Sequence, residues 1–282
     1  SFIARNELPM RVTNARREDM QELSDVHGGA GTIFFGRLWE RDDFETPFAF
    51  VHSAVLPPGG GIGYHRHDDS EEIFVTVDNA AQYTHNGRTA IVEGGAAVPL
   101  RTGEAHAIYN HTEADTRWFN FHCVVPGGEP KSTDLGDDRV GVELESTDRL
   151  PVGRFERTAL AETPNLHGGK GAVFGRLVWE QEDFRSNFHY LGHCLLPPGA
   201  SIGYHSHQGV EEVYVVIAGS GRVTVDDETR EVGPWDSIPS KLGGSHGIFN
   251  HTQDDLELLG VAVCATKGQF DFTDLGDDLS SR

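Results

Sequence analysis

One ligand set occurs twice in this chain at a constant spacing. His65, His67, Glu72 and His106 lie in the first half and His205, His207, Glu212 and His246 in the second, each second-half number being its first-half counterpart plus 140. Other segments keep the same offset. Residues 56–67 read LPPGGGIGYHRH and residues 196–207 read LPPGASIGYHSH, identical at nine of twelve positions. TDLGDD stands at 133–138 and again at 273–278, His27-Gly28-Gly29 matches His167-Gly168-Gly169, and Asn110-His111-Thr112 matches Asn250-His251-Thr252. A period of this length is too long for a solenoid unit and suits a whole domain. The chain of 282 residues therefore divides into two homologous domains, 1–146 and 147–282.

Each half is long enough to bury a core of its own. Lys and Arg total 23 against 44 Asp and Glu, a net charge of -21. That balance opposes nonspecific attraction to nucleic acid or to an anionic membrane, so neither is an expected partner. Cys123, Cys194 and Cys264 are odd in number and do not occupy equivalent repeat positions. A disulfide framework is not expected, and a reducing cytoplasm suits the chain. Residues 1–11 contain no apolar run, and no later stretch approaches the ~20 apolar residues of a membrane span.

Short β-branched or aromatic runs dominate. In the first half they cover 48–56, 72–77, 106–110 and 118–125, and each has a counterpart in the second. Pro57-Pro58-Gly59-Gly60-Gly61, Asn86-Gly87, Gly94-Gly95 and Pro126-Gly127-Gly128 supply turns between them. The best candidate for a helix is the short stretch 14–23. Many short strands punctuated by Gly and Pro predict an antiparallel sandwich or barrel in each half.

On such a scaffold His65 and His67 share one strand face, as do His205 and His207, because side chains alternate with period two. Glu72 and Glu212 open the next apolar strand, where a hairpin returns the carboxylate beside the histidines. His106 and His246 arrive from a strand more than thirty residues on, as in a barrel interior where distant strands converge. Three imidazoles and one carboxylate suit a borderline divalent ion. Four protein ligands leave one or two positions open on an octahedral metal, the mark of a catalytic rather than a structural site. Fe or Mn is favoured at both sites, and Cu, Ni, Co and Zn are also accepted by this ligand set.

These residues resemble the cupin signature. Gly199, His205, His207, Glu212 and Gly219 fit its first part in full; Gly59, His65, His67 and Glu72 fit it in the first half, with Asn79 in place of the last Gly. Asn also tolerates positive φ. Pro99, Gly103, His106 and Asn110, and Pro239, Gly243, His246 and Asn250, match the second part with two residues inserted between Pro and Gly. The chain is thus similar to a bicupin. The resemblance implies an all-β protein of two tandem cupin-type jelly-roll or conical β-barrels, each with the metal near its centre.

The reaction is less constrained, because cupins host many chemistries. The leading expectation is an oxidoreductase of the dioxygenase type: a net positive centre attracts a small oxygen-bearing organic anion and brings it beside O2. The catalytic and metal-binding residues would be His65, His67, Glu72, His106, His205, His207, Glu212 and His246. The alternatives are a lyase resembling oxalate decarboxylases, ranked lower because a Ser-Glu-Asn lid is absent, and a non-redox isomerase, epimerase or hydrolase with the metal as Lewis acid. A protein that only binds a small molecule is weaker still. Exposed jelly-roll sheets admit a homodimer.

Other residues carry smaller expectations. Tyr64 and Tyr204 face away from the ligands along the strand and suit packing. Arg101 and Lys241, in equivalent loops, are either substrate counter-charges or solvated cations. His52, His189 and His193 include one candidate general base. Trp39, Trp179, Phe44 and Phe184 suit a core or an interface, and Asn110 and Asn250 a turn or the support of a ligand histidine.

Overall fold

The computed structural model describes residues 10–282, so most of the 1–11 segment read above for its lack of an apolar run lies outside the described residues. Each half is built from a five-stranded and a seven-stranded antiparallel sheet. In the first half the five-stranded sheet runs Ser132–Asp134, Gly61–His67, Ala105–Tyr109, Ala80–His85, Arg88–Glu93. Its seven-stranded partner runs Gly153–Arg154, Ala96–Leu100, Ser70–Thr76, Thr116–Val124, Phe48–Leu56, Thr32–Trp39, Gln21–Ser24. The second half repeats this, with Glu228–Val232, Gly221–Val225, Ser245–Phe249, Ser201–Ser206 and Thr273–Asp277 in the smaller sheet. The larger is Thr13–Asn14, Asp236–Ser240, Val210–Ala218, Leu256–Cys264, Phe188–Leu196, Ala172–Glu180, Ala161–Pro164. No helix among the described residues is long and apolar enough to cross a membrane.

The halves exchange edge strands. Thr13–Asn14 pairs with Ser237 and Asp236 of the second half, and Gly153–Arg154 pairs with Ala97 and Ala96 of the first. Between the two large sheets lies the principal apolar cluster, which takes Phe48, Val51, Phe119 and Phe121 from one half and Phe188, Leu191, Val213 and Val261 from the other. Strands of these sheets are buried on both faces, because one lines its own barrel and the other packs on the neighbour. Ser70–Thr76 and Leu256–Cys264 are buried at every residue for that reason. Trp39, Trp179, Phe44 and Phe184 belong to this shared core, and Trp39 Nε1 donates to Ser237 Oγ across it at 2.8 Å.

Two sequence expectations are corrected. The 14–23 stretch is not a helix: it is the end of the Thr13–Asn14 strand, a 3-10 turn at Arg17–Asp19 and the start of Gln21–Ser24. Weak local helical preference yields here to sheet-edge pairing, with Ala15 N donating to Trp235 O at 3.1 Å and Gln21–Ser24 aligned on Phe35–Thr32. Nor is Glu72 returned by a hairpin. Gly61–His67 and Ser70–Thr76 lie in different sheets, so Asp68 and Asp69 carry the chain across the barrel and Glu72 faces the histidines from the opposite wall.

Candidate metal centres

His65 and His67 leave the same face of Gly61–His67, and His106 stands directly opposite His65 on the adjacent strand. The second half repeats the register, with His205 opposite His246. In each quartet one donor atom per residue can be chosen such that all four lie within 4.8 Å of one another, and all eight residues are buried. His106 Nε2 is 3.0 Å from His65 Nε2 and 2.9 Å from Glu72 Oε2; His246 Nε2 is 3.1 Å from Glu212 Oε2. Nitrogen lone pairs and a carboxylate oxygen thus converge on one point. His67 Nε2, Glu72 Oε2, His207 Nε2 and His246 Nε2 are buried without a hydrogen-bond partner, as atoms that bind a cation would be. The donor set fits a divalent transition metal at both places.

Partners on the outer nitrogens orient the rings. His65 Nδ1–H donates to Gly63 O at 2.7 Å, His205 Nδ1–H to Gly203 O at 2.8 Å and His207 Nδ1–H to Asp271 O at 2.6 Å. Each bond selects the tautomer whose Nε2 lone pair faces the centre. Burial pushes His65 well below its ordinary pKa, with His106 and His27 adding to the effect, and pushes His106 down to about 4 and His205 to about 2. Burial acts in the same sense on His67 and His207, but the Glu72 and Glu212 carboxylates outweigh it and raise both. Glu72 and Glu212 sit well below the usual carboxylate range: burial opposes ionisation, and the surrounding imidazoles overcome it. Mostly neutral imidazoles around an ionised carboxylate are the protonation state a metal requires.

Two repeated motifs join the centres in a way the sequence did not assign. His27 stacks on His65 with ring centroids 3.9 Å apart, and its Nδ1 lies 2.6 Å from Asp134 Oδ1. His167 stacks on His205 at 3.8 Å and its Nδ1 lies 2.9 Å from Asp274 Oδ1. HGG and TDLGDD therefore meet beside the first ligand of each copy. His27 and His167 hold left-handed backbone, φ 52 and 53. The turn sits flush on the ligand strand: a Cβ at Gly63 or Gly203 would lie 2.1 Å from the carbonyl oxygen of His27 or His167.

Further residues distinguish the copies. Glu72 Oε1 accepts from Asn120 Nδ2 at 3.0 Å and from His122 Nδ1–H at 2.7 Å, whereas Glu212 Oε1 accepts from the Tyr190 hydroxyl. A search for repeats could not find these residues because they differ between halves. Alternation along Thr116–Val124, which puts Trp118, Asn120 and His122 on one face, was the available signal. His52 lines the first chamber and bonds Glu40 at 2.9 Å. His193 is bound to Glu257 at 2.6 Å, and His189 stacks on Phe270.

Arg101 and Lys241 do not serve as counter-charges in the chambers. Arg101 Nε donates to Asp183 O and Lys241 Nζ lies 5.0 Å over the Phe44 ring, so both reach across to the other half. Tyr64 and Tyr204 pack under Arg139 and Arg282. Asn110 and Asn250 close turns through bonds to Leu56 O and Ala114 O, and to Leu196 O and Asp254 O. All three cysteines are free.

A chamber opens on each quartet. The first, about 310 Å³, is lined by Arg37, His52, Asn120 and His122 together with Phe35, Phe50 and Trp118 besides the ligands; the second, about 470 Å³, by Leu177, Tyr190, Leu258, Phe270 and Phe272 together with Arg176 and His193.

The cupin domain family matches residues 52–125 and 192–262. Over 99 residues the chain is 31% identical to the oxalate-binding protein of Thermotoga maritima, an alignment spanning 35% of this chain and 82% of that protein. In structure it resembles a deletion mutant of oxalate decarboxylase from Bacillus subtilis, at 17% identity, covering 95% of this chain and 79% of that one with a TM-score of 0.60. The Bacillus subtilis oxalate decarboxylase whose Mn(II) centres have been studied by EPR aligns over the same shares at 16% identity and TM-score 0.59. At those identities the structural likeness speaks for fold alone. The chain belongs to the cupin family and carries its domain twice, as a bicupin.

Proposed function

We propose that this bicupin is a metal-dependent lyase that takes oxalate, or a dicarboxylate of similar size, at its N-terminal centre and cleaves the bond between the two carboxyl carbons. The observation that carries the reading is the group of polar side chains, Arg37, His52, Asn120 and His122, that line the small chamber over the first quartet. Arg37 stands at its edge, ion-paired with Glu40 at 3.4 Å, as a counter-charge for an anion. His122 gives its Nδ1–H to Glu72 and leaves Nε2 buried without a partner, an acceptor for the proton of a substrate carboxyl group. Asn120 Oδ1 is buried and unpartnered beside it.

When bound, a divalent Mn or Fe supplies Lewis acidity and access to one-electron chemistry. Conversion of the oxalate monoanion breaks one C–C bond, releases carbon dioxide and leaves the electron pair on the retained carbon. That carbon takes the proton and becomes formate, so atoms and charge balance without a net oxidant. The sequence ranked this chemistry below oxygenation because no Ser-Glu-Asn lid is present. The oxalate-binding relative supports oxalate as the ligand, and the decarboxylases that share the fold are bicupins that carry out the lyase chemistry. The eight ligand residues are the ones we assign to the metals.

Oxalate given to the Mn(II)-loaded protein tests the reading. Formate appearing with carbon dioxide in equal amount and no net oxygen uptake is the expected result. Stoichiometric oxygen uptake would return the assignment to the oxygenase, and saturable binding without turnover would make this a binding protein.

A further inference from the structure

The two chambers are not copies. Four polar residues at the first, Arg37, His52, Asn120 and His122, have Leu177, Gly192, Gly260 and Ala262 at the equivalent positions. The equivalence is one of strand register as well as numbering: Arg37 and Asn120 both face His52 across their ladders, as Leu177 and Gly260 both face Gly192. At the mouth Pro130 and Ser132 become Phe270 and Phe272. With small residues in place of these polar groups, and Gly175 and Leu258 in place of Phe35 and Trp118, the second cavity is about 470 Å³ against about 310, and Phe270 and Phe272 are added to its walls while Arg176 and His193 remain among its polar lining. Phe272 and Leu177 are 52% and 48% exposed at the rim, where free apolar surface marks a binding site more often than chance. The Tyr190 hydroxyl is committed to Glu212 and so does not offset this.

Oxalate would leave most of such a chamber wet and its rings unburied. From this we infer that the C-terminal centre takes a monocarboxylate with an aromatic body, the carboxyl head at the metal and the ring between Leu258, Phe270 and Phe272, while the N-terminal centre takes the small polar acid. Burial of a phenyl ring against such walls supplies the binding energy that the lost polar groups would have given a dianion. The inference rests on the reading of both quartets as metal centres.

The probe is benzoylformate, which keeps a carboxylate oxygen and the adjacent carbonyl oxygen as the two-oxygen head of oxalate and puts a phenyl ring in place of one oxygen of the second carboxyl group. Full-length His67→Ala and His207→Ala proteins, loaded with Mn(II), leave one intact quartet each. Metal content is counted first, then oxalate and benzoylformate are titrated by calorimetry and by the Mn(II) EPR signal. The expected result is that His67→Ala binds benzoylformate at least about tenfold tighter than oxalate and His207→Ala shows the reverse order. Adding Gly192→His to His67→Ala, where a Cβ meets nothing nearer than 3.7 Å, should abolish the preference without changing metal content. Metal bound but no preference for benzoylformate would overturn this inference alone. Failure of His67→Ala to hold metal would overturn the underlying reading of the second quartet, and this inference with it.

Discussion

Glu72 and Glu212 do equivalent work with different company. His122 and Asn120 fix one, Tyr190 the other. Groups that orient a ligand commonly change metal affinity ~10–100-fold when removed. His122→Ala should therefore loosen the first centre by that order and leave the second alone, as read by chelator competition; equal loss at both would contradict the assignment. Acid sensitivity follows from the same burial. In the metal-free protein folded His106 titrates at about 4 against an ordinary 6.5, so between those values the unfolded chain holds the extra proton and stability falls as pH falls. His65, His205 and His246 are also pushed down by burial, while His67 and His207 are raised and act in the opposite sense. His52, His122 and His189 are lowered by burial as well, so the depressed imidazoles outnumber the raised two. His106 alone contributes on the order of 2 kcal/mol by pH 5. The melting temperature of chelator-treated protein should drop from pH 7 to pH 5; a rise over that interval would contradict the buried-imidazole account. The convergence of the eight quartet residues was legible in the sequence because duplication marks them. His122 and Tyr190 were not, since duplication marks only what both copies keep.

The strand that bears two ligands is held by a turn from elsewhere in the chain. Gly63 and Gly203 admit the HGG turns against the ligand strands, and a methyl group there meets carbonyl oxygen at 2.1 Å. Gly63→Ala should cost at least about 2 kcal/mol in urea denaturation, because the clash is with backbone and cannot be relieved by a rotamer change. A cost within a few tenths would show that the turn is not packed as described. Elements with strong alternation were readable: Phe48–Leu56 was expected with these bounds and found with them. The 14–23 stretch was misread because its fate is set by edges of sheets that lie far off in sequence, which local pattern does not encode. The crossing of Asp68 and Asp69 between sheets was missed for the same reason, since a short polar link between two strands looks like a hairpin whichever wall the second strand joins.

Across the whole molecule, the repeat builds a pseudo-symmetric interface from buried carboxyl groups. Glu71 accepts from the backbone N–H groups of Arg185 and Ser186, and Glu211 from those of Glu45 and Thr46 and from the Thr46 hydroxyl. We propose that the domain division falls near 146, in the exposed stretch before the turn at Thr147–Arg149, with each domain lending one strand to the other's sheet. With so much apolar surface shared, the halves should unfold as one transition in calorimetry. Glu71→Ala leaves buried N–H groups unpaired and should lower stability by about 3 kcal/mol without splitting that transition. Two resolved transitions in the parent protein would contradict the interlocked arrangement. The repeat announced two domains, but not that they share a core, because the faces that pack together are apolar in the same pattern as any barrel lining.

The count of bound metal tests the account at its centre. Protein purified without chelator and reconstituted with Mn(II) should hold two equivalents by elemental analysis, His67→Ala and His207→Ala one each, and the double variant none. Unchanged metal content in both single variants would contradict the assignment of the quartets.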